Sequence, residues 1–243
     1  HVLERAGVRT LWRDNQTGCK GVCDGLAFES FREPRKDDHC DSQACRDAVM
    51  LDGLHDAIDD NPGDVVVVLH QLGNHGPSYF NRYAEEFRRF IPDCRSADLC
   101  SCSRQEIINA YDNAILATDD FLAQAIQMLA ADASHDTAMI YISDHGESLG
   151  EANVYLHGLP YVIAPDTQIK VPLISWLSSG MVESNGIDES CVKERAHKPA
   201  SHDNLFHSVL GLMQIKTSAY DPRQDLFAGC LQPVSGGRDE ATH

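Results

Sequence analysis

The stretch that decides the fold is Thr137–His157, which reads TAMIYI and then SDHGESLGEANVYLH. The first six residues are an apolar run typical of a buried strand. An adjacent aspartate and histidine follow, and they offer one oxygen and one nitrogen ligand, which suits Zn²⁺ or Mn²⁺ better than Ca²⁺ or Mg²⁺. An isolated Asp-His pair is more often part of an ordinary loop, so a metal site is favoured only if other parts of the chain supply further ligands. The side chains after the strand that can bind a metal or move a proton are Asp144, His145, Glu147, Glu151 and His157.

A second apolar strand ends in a similar loop. Asp64–Leu69 contains four consecutive valines, a pattern typical of a strand that is buried on both faces. A glycine-rich loop with His70 and His75 follows it. In open α/β sheets ligands bind beyond the carboxyl ends of the strands, so we expect the two loops at one edge of the sheet. Histidines on both loops, beside Asp144, favour a metal site at this edge.

Strand-like and helix-like patterns alternate along the chain. Apolar residues at helical spacing predict helices over 1–6, 47–59, 104–129 and 204–215. Ser201 is the expected N-cap of the last of these helices. Further strands are predicted over Val8–Trp12 and Val171–Leu177. The alternation predicts an α/β fold with a parallel or mixed sheet covered by helices on both faces, and residues 231–243 are expected to form a disordered tail.

Length and charge narrow the possible functions. The 243 residues are enough for one sizeable α/β domain. The net charge of −17 argues strongly against a nucleic-acid partner, and it suits anionic substrates only where bound cations reverse the charge locally. The sequence contains no run of 18 apolar residues, so none of its segments is expected to span a membrane.

Nine cysteines are many for a cytosolic domain of this size. Most of them lie in close pairs within polar, turn-like segments, which favours disulfides formed in an oxidising compartment. A zinc site with four cysteine ligands is the alternative, although the usual two-residue spacing is missing. The odd number leaves at least one thiol free or paired outside the chain.

Four segments resemble, in the same order, the lipid A phosphoethanolamine transferases, the family that includes the mobile colistin-resistance enzymes. These segments are Trp12–Asp24, His70–Pro77, Asn109–Asn113 and Ser143–Gly158, and the likeness extends over residues 1–230. The resemblance implies an alkaline-phosphatase-like, sulfatase-like α/β fold at the periplasmic face of the bacterial inner membrane. It also implies zinc-dependent transfer of phosphoethanolamine from phosphatidylethanolamine to lipid A through a phospho-threonine. A monomer and resistance to polymyxin or colistin are further expectations.

The resemblance assigns roles to individual residues. Asp144 and His145 match ligands of a primary Zn²⁺, whereas His75 and His157 match positions that hold the head group or a second Zn²⁺. His75, His157 and Glu147 are the implied catalytic residues. The implied substrate-binding residues are Asn15 or Gln16, Lys20 and His70. The implied disulfides are Cys19–Cys23, Cys40–Cys45 and Cys94–Cys102, and the pairing of Cys100, Cys191 and Cys230 stays open, with Cys191–Cys230 favoured.

Two parts of the family pattern are missing from the sequence. The family carries its nucleophilic threonine and a glutamate ligand upstream of the region where His1 begins, as it does its N-terminal transmembrane helices. We therefore expect residues 1–230 to be the C-terminal part of a periplasmic catalytic domain that is inactive alone and contacts the membrane through the missing helices. One alternative is a transferase with another acceptor, such as a core heptose or a glycan. Another is a non-catalytic periplasmic domain that binds lipid head groups.

Overall fold

Strands of the computed structural model, which describes residues 1–231 except 35, 37 and 41–43, form three sheets. The first is parallel, in the order β2-β1-β3, and the second pairs β4 with β7 in antiparallel register. A short hairpin joins β5 and β6. The strands are β1 (Arg9–Asp14), β2 (Ala27–Ser30), β3 (Val65–His70), β4 (Ala138–Ile142), β5 (Ser148–Leu149), β6 (Tyr155–Leu156) and β7 (Leu173–Leu177).

Helices alternate with these strands, as predicted for an α/β fold. The longest, α3, begins with a capping box in which the Ser103 hydroxyl and the Glu106 carboxylate accept each other's backbone N–H bonds. Its apolar stripe packs into the core, so the helix predicted over 104–129 is confirmed. The α-helices of the described residues are α1 (Val2–Arg5), α2 (Leu54–Asp59), α3 (Arg104–Ala131), α4 (Asp166–Ile169), α5 (Ser179–Asn185), α6 (Glu189–Arg195) and α7 (Asp203–Leu212).

Two helix predictions are wrong in detail. The single helix predicted over 47–59 is a 3₁₀ turn, Asp47–Leu51, followed by α2. Gly53 separates them with a φ of +62°, a left-handed conformation that interrupts a helix. At α7 the N-cap is His202 rather than Ser201, and its side chain makes no capping hydrogen bond.

A wide space separates β3 from β4. In the described part of the chain β3 pairs only with β1 and β4 only with β7, so each has one unpaired edge. A cavity of about 1610 Å³ is lined by both strands and by apolar side chains of α2, α3 and α7. All six residues of β3 are consequently half-buried, which corrects the prediction that this strand is buried on both faces.

Cysteine pairing follows the expected pattern. The structure contains Cys19–Cys23, Cys40–Cys45, Cys94–Cys102 and Cys191–Cys230, with Cys100 as an exposed thiol. Leu231 forms an isolated bridge with Ile187, whereas the remainder of the predicted tail, 232–243, lies outside the described residues. Among the described residues, every helix is too short or too polar to cross a bilayer.

Candidate metal centre

Three histidines from the two predicted loops meet at one place. His75 follows β3, whereas His145 and His157 flank the β5–β6 hairpin. Each offers a ring nitrogen, and these nitrogens lie within 4.8 Å of one another. The rings of His145 and His157 are stacked with centroids 3.8 Å apart, and the ring of His75 meets that of His157 edge-on at 4.7 Å. The prediction that the two loops converge is confirmed.

The second nitrogen of each histidine is held by an oxygen. Nδ1 lies 2.7 Å from the Gly76 carbonyl in His75, 3.1 Å from the Gly146 carbonyl in His145 and 2.9 Å from a Glu147 carboxylate oxygen in His157. Carbonyl and carboxylate oxygens only accept hydrogen bonds, so each Nδ1 carries the proton. An imidazole that donates from Nδ1 keeps Nε2 for a metal ion, which is the arrangement that metal-binding histidines usually have.

Glu147 lies behind this cluster rather than in the open pocket. Its side chain is 4% exposed, and it also accepts hydrogen bonds from the Tyr79 hydroxyl at 3.1 Å and from the Gly76 amide at 3.3 Å. In this position the carboxylate orients His157, and the catalytic role implied for Glu147 stays a prediction. Burial, and then the nearby Glu147, raise the pKa of Tyr79 far above its ordinary value, so its hydroxyl stays a donor.

Asp144 lies at the exposed rim of the cluster. Its side chain is 83% exposed, and one carboxylate oxygen is 3.8 Å from Nε2 of His145. Two ligands of one tetrahedral ion at about 2 Å are separated by 3–4 Å, so this pair fits a shared Zn²⁺. The same oxygen accepts the His145 backbone amide at 3.0 Å, which keeps the carboxylate beside the imidazole.

A second aspartate-histidine pair occupies the ends of β1 and β3. Asp14 is 1% exposed, and its Oδ1 lies 2.5 Å from Nδ1 of His70. Its other oxygen accepts the backbone amides of Gln16 and Gly18. The register of the parallel strands pairs Asp14 with His70 directly. Sequence reasoning did not identify Asp14, although its place at the end of a strand beside β3 was a usable signal.

The two candidate head-group amides behave differently. Asn15 is 4% exposed, and its amide donates to the Cys45 carbonyl at 3.1 Å and to Asp47 at 2.7 Å. Both amide hydrogens of Asn15 are thus used within the fold, which favours Gln16 as the head-group amide. Gln16 is half-buried at the cavity wall, with Nε2 on the Gln71 carbonyl at 2.8 Å. Lys20 is exposed and follows Cys19 of the first disulfide.

The donor set and its surroundings define what this centre can do. Three imidazoles and one carboxylate suit Zn²⁺, and three of these residues, His75, Asp144 and His145, line the large cavity. The arrangement therefore suits a Zn²⁺ that activates a bound oxygen or stabilises an anionic group.

Known proteins share this chain's sequence and fold. A model of the family described as Sulfatase matches residues 1–215. The phosphoethanolamine transferase EptA of Salmonella typhimurium is 43% identical over 231 residues, which are 94% of this chain and 42% of that protein. The phosphatidylethanolamine transferase Mcr-1 of Escherichia coli is 49% identical over 183 residues, 72% of this chain and 34% of that protein.

A solved structure extends the likeness to three dimensions. The soluble domain of lipooligosaccharide phosphoethanolamine transferase A from Neisseria meningitidis superposes with a TM-score of 0.91 at 37% identity. The match covers 95% of this chain and 70% of that domain. The chain thus spans about two fifths of the length of the EptA it matches.

Proposed function

The chain belongs to the sulfatase family and, within it, to the phosphoethanolamine transferases, and we propose that it forms part of a zinc-dependent enzyme that moves phosphoethanolamine from phosphatidylethanolamine to lipid A. The observation that carries this proposal is the convergence of one ring nitrogen from each of three histidines, with Asp144 beside His145 and each imidazole oriented through its Nδ1. We place the reaction at the periplasmic face of the inner membrane. The four disulfides support an oxidising compartment.

The donors divide into two groups in this proposal. Asp144 and His145 hold a primary Zn²⁺, together with ligands that the remainder of the protein supplies. His75 and His157 hold a second Zn²⁺ or contact the phosphate directly. Bound zinc would supply positive charge that stabilises the oxygens of the phosphoryl group, and it would lower the pKa of a coordinated hydroxyl. A local positive field also offsets the overall charge of −17, which otherwise disfavours an anionic substrate.

The chain's own residues bind the substrate and move a proton. Where His157 contacts the phosphate instead of a second Zn²⁺, its Nε2 takes up a proton from water and delivers it to the diacylglycerol oxygen as the bond between that oxygen and phosphorus breaks, with Glu147 holding Nδ1. Lys20 contributes a positive charge for the phosphate, and the half-buried Gln16 offers its side-chain oxygen to the ammonium group. His70, oriented by Asp14, lies beside Gln71, whose carbonyl holds the Gln16 amide.

The nucleophile is assigned to polypeptide outside the 243 residues. The threonines of this chain lie away from the expected motif, and the family pattern places the nucleophile upstream of His1. The space between β3 and β4 supports this assignment, because its unpaired edges and apolar lining have room for a further strand. Such a strand would end at the same edge of the sheet as the histidine cluster.

The test uses the full-length protein in bacteria. Expression should add phosphoethanolamine to lipid A, seen by mass spectrometry, and raise polymyxin resistance. Asp144→Asn and His75→Ala should abolish both effects. Phosphoethanolamine on a core sugar with unmodified lipid A would indicate a transferase with another acceptor. Full polymyxin resistance in both variants would indicate a non-catalytic domain that binds lipid head groups. Sustained turnover of a fluorescent phosphatidylethanolamine analogue by the 243 residues alone would refute an external nucleophile.

A further inference from the structure

An apolar loop projects from the protein directly after His157. Within this loop, residues 159–163 are named here the apolar finger, and they read Leu-Pro-Tyr-Val-Ile. Tyr161 is 79% exposed, Val162 94% and Ile163 65%. No other three consecutive large apolar side chains in the described part of the chain are all exposed. Contiguous exposed apolar surface of this kind marks a contact with another molecule or with a membrane.

The finger has an ordered base. A turn closes its tip, because the Pro160 carbonyl accepts the amides of Ile163 and Ala164 at 2.9 and 3.0 Å. Below the turn, the side-chain oxygen of Gln168 accepts the Leu159 amide at 3.3 Å. The side-chain amide of Gln168 donates to the Leu156 carbonyl at 3.0 Å, so one buried residue ties both sides of the base. The apolar side chains are thus held outward by backbone geometry.

Position and charge identify the kind of partner. Leu159, the first residue of the finger, is two residues from His157, whose imidazole belongs to the candidate metal centre. A lipid whose phosphate reaches that centre keeps its acyl chains in the bilayer, so the surface beside the centre must meet apolar material. The net charge of −17 opposes attraction to an anionic surface, so contact with a bilayer must come from apolar insertion.

We propose that the apolar finger inserts between the acyl chains of a zwitterionic lipid bilayer and holds the histidine cluster at the level of the lipid head groups. This inference rests on the proposed function, since it takes the substrate to be a membrane lipid. Tyr161 lies at the interface with its hydroxyl toward water, and Val162 and Ile163 enter the hydrocarbon region. The finger therefore fixes the height of the catalytic centre above the membrane.

The direct test is quenching of a tryptophan in the finger. In the 243-residue chain, Tyr161→Trp is mixed with vesicles of phosphatidylcholine that carries bromine on its acyl chains. The matched control is Phe90→Trp, at a side chain that is 43% exposed in a different loop. We expect at least a twofold loss of the added emission at position 161 and an unchanged signal at position 90. Absence of quenching at saturating lipid, or equal quenching at both positions, would overturn the proposal.

A second pair of variants tests the energetics with the same vesicles. Ile163→Asp should weaken vesicle binding by about tenfold, because insertion of the finger would then transfer a charged carboxylate from water into the bilayer. Ile91→Asp is the control, since Ile91 is 66% exposed against 65% for Ile163. Self-association of the chain that Ile163→Asp abolishes, without quenching by lipid, would assign the finger to a second copy and overturn the proposal.

This experiment is independent of catalysis. Phosphatidylcholine vesicles contain no phosphoethanolamine, so quenching reports the finger and not the head-group site. A full-length enzyme that binds vesicles through the finger but transfers nothing would refute the proposed function and leave this inference in place.

Discussion

Replacing Glu147 by glutamine should weaken zinc binding without disturbing the fold. The carboxylate lies 2.9 Å from Nδ1 of His157 and accepts hydrogen bonds from Gly76 and Tyr79. A glutamine oxygen can keep the bonds from His157 and Gly76, and its amide can donate to the Tyr79 hydroxyl, which then acts as acceptor. The substitution removes the negative charge and little else.

The size of the effect follows from that lost charge. A carboxylate behind a histidine makes the imidazole a stronger ligand, and changes to such partners typically cost about 10- to 100-fold in metal affinity. The zinc affinity of Glu147→Gln should fall by this factor, which corresponds to about 1.4–2.7 kcal/mol. Glu151→Gln is the control, because Glu151 lies on the same loop but bonds Arg104 and the Leu149 amide instead of a histidine.

Competition with a chromophoric chelator at neutral pH measures this affinity. The measurement is made in a Cys100→Ser background, since the exposed thiol of Cys100 would itself bind zinc. Glu151→Gln should stay within about twofold of the parent chain, because no imidazole depends on it. Equal affinity of Glu147→Gln and the parent, or an equal loss in both variants, would refute the role given to Glu147.

Four further predictions concern hydrogen bonds, pH, the head-group amides and the sheet gap. Tyr79→Phe and Tyr83→Phe each remove a buried hydrogen bond to a carboxylate, so urea unfolding should show the free energy of unfolding lowered by about 1.5–3 kcal/mol in each variant. An unchanged free energy of unfolding in Tyr79→Phe would contradict its bond to Glu147. Burial raises the pKa of Tyr83 from 10.0 to about 12, so its contribution to stability is intact below pH 10 and lost between pH 10 and 12. Tyr83→Phe should flatten the fall in unfolding free energy there by about 1.4 kcal/mol per pH unit, and an unaltered slope would refute the shift. Asn15→Ala should lower the free energy of unfolding by about 1–3 kcal/mol and leave head-group binding unchanged, as measured by calorimetry on the full-length protein. Gln16→Ala should weaken head-group binding and leave the free energy of unfolding unchanged. Val67→Asp should change the free energy of unfolding of this chain by less than about 1 kcal/mol but lower that of the full-length protein by about 2–5 kcal/mol. Equal losses in the two proteins would refute the proposal that another strand fills the space between β3 and β4.

The sequence predicted the place of the site better than the role of each residue. Apolar runs that end in histidine-bearing loops identify the strand ends, because strand burial and loop chemistry are local properties of the chain. Asn15 and Gln16 are adjacent amides, and sequence alone does not say which of them points into the fold. The choice depends on Asp47, a distant residue that accepts the Asn15 amide. The buried position of Glu147 is likewise not readable from the sequence, since its partner Tyr79 is 68 residues away.

The valine run of β3 shows where local pattern and tertiary structure separate. Four consecutive valines are typical of a strand with apolar neighbours on both faces and a paired strand on each side, and the sequence alone predicts this environment. Among the residues that the structure describes, β3 is paired on one side only, and its other side faces the cavity beside β4. The half-buried valines therefore lack, among the described residues, part of the contacts that their sequence pattern predicts. The histidine cluster lies at one end of this gap, so whatever fills the gap would also border the candidate metal centre.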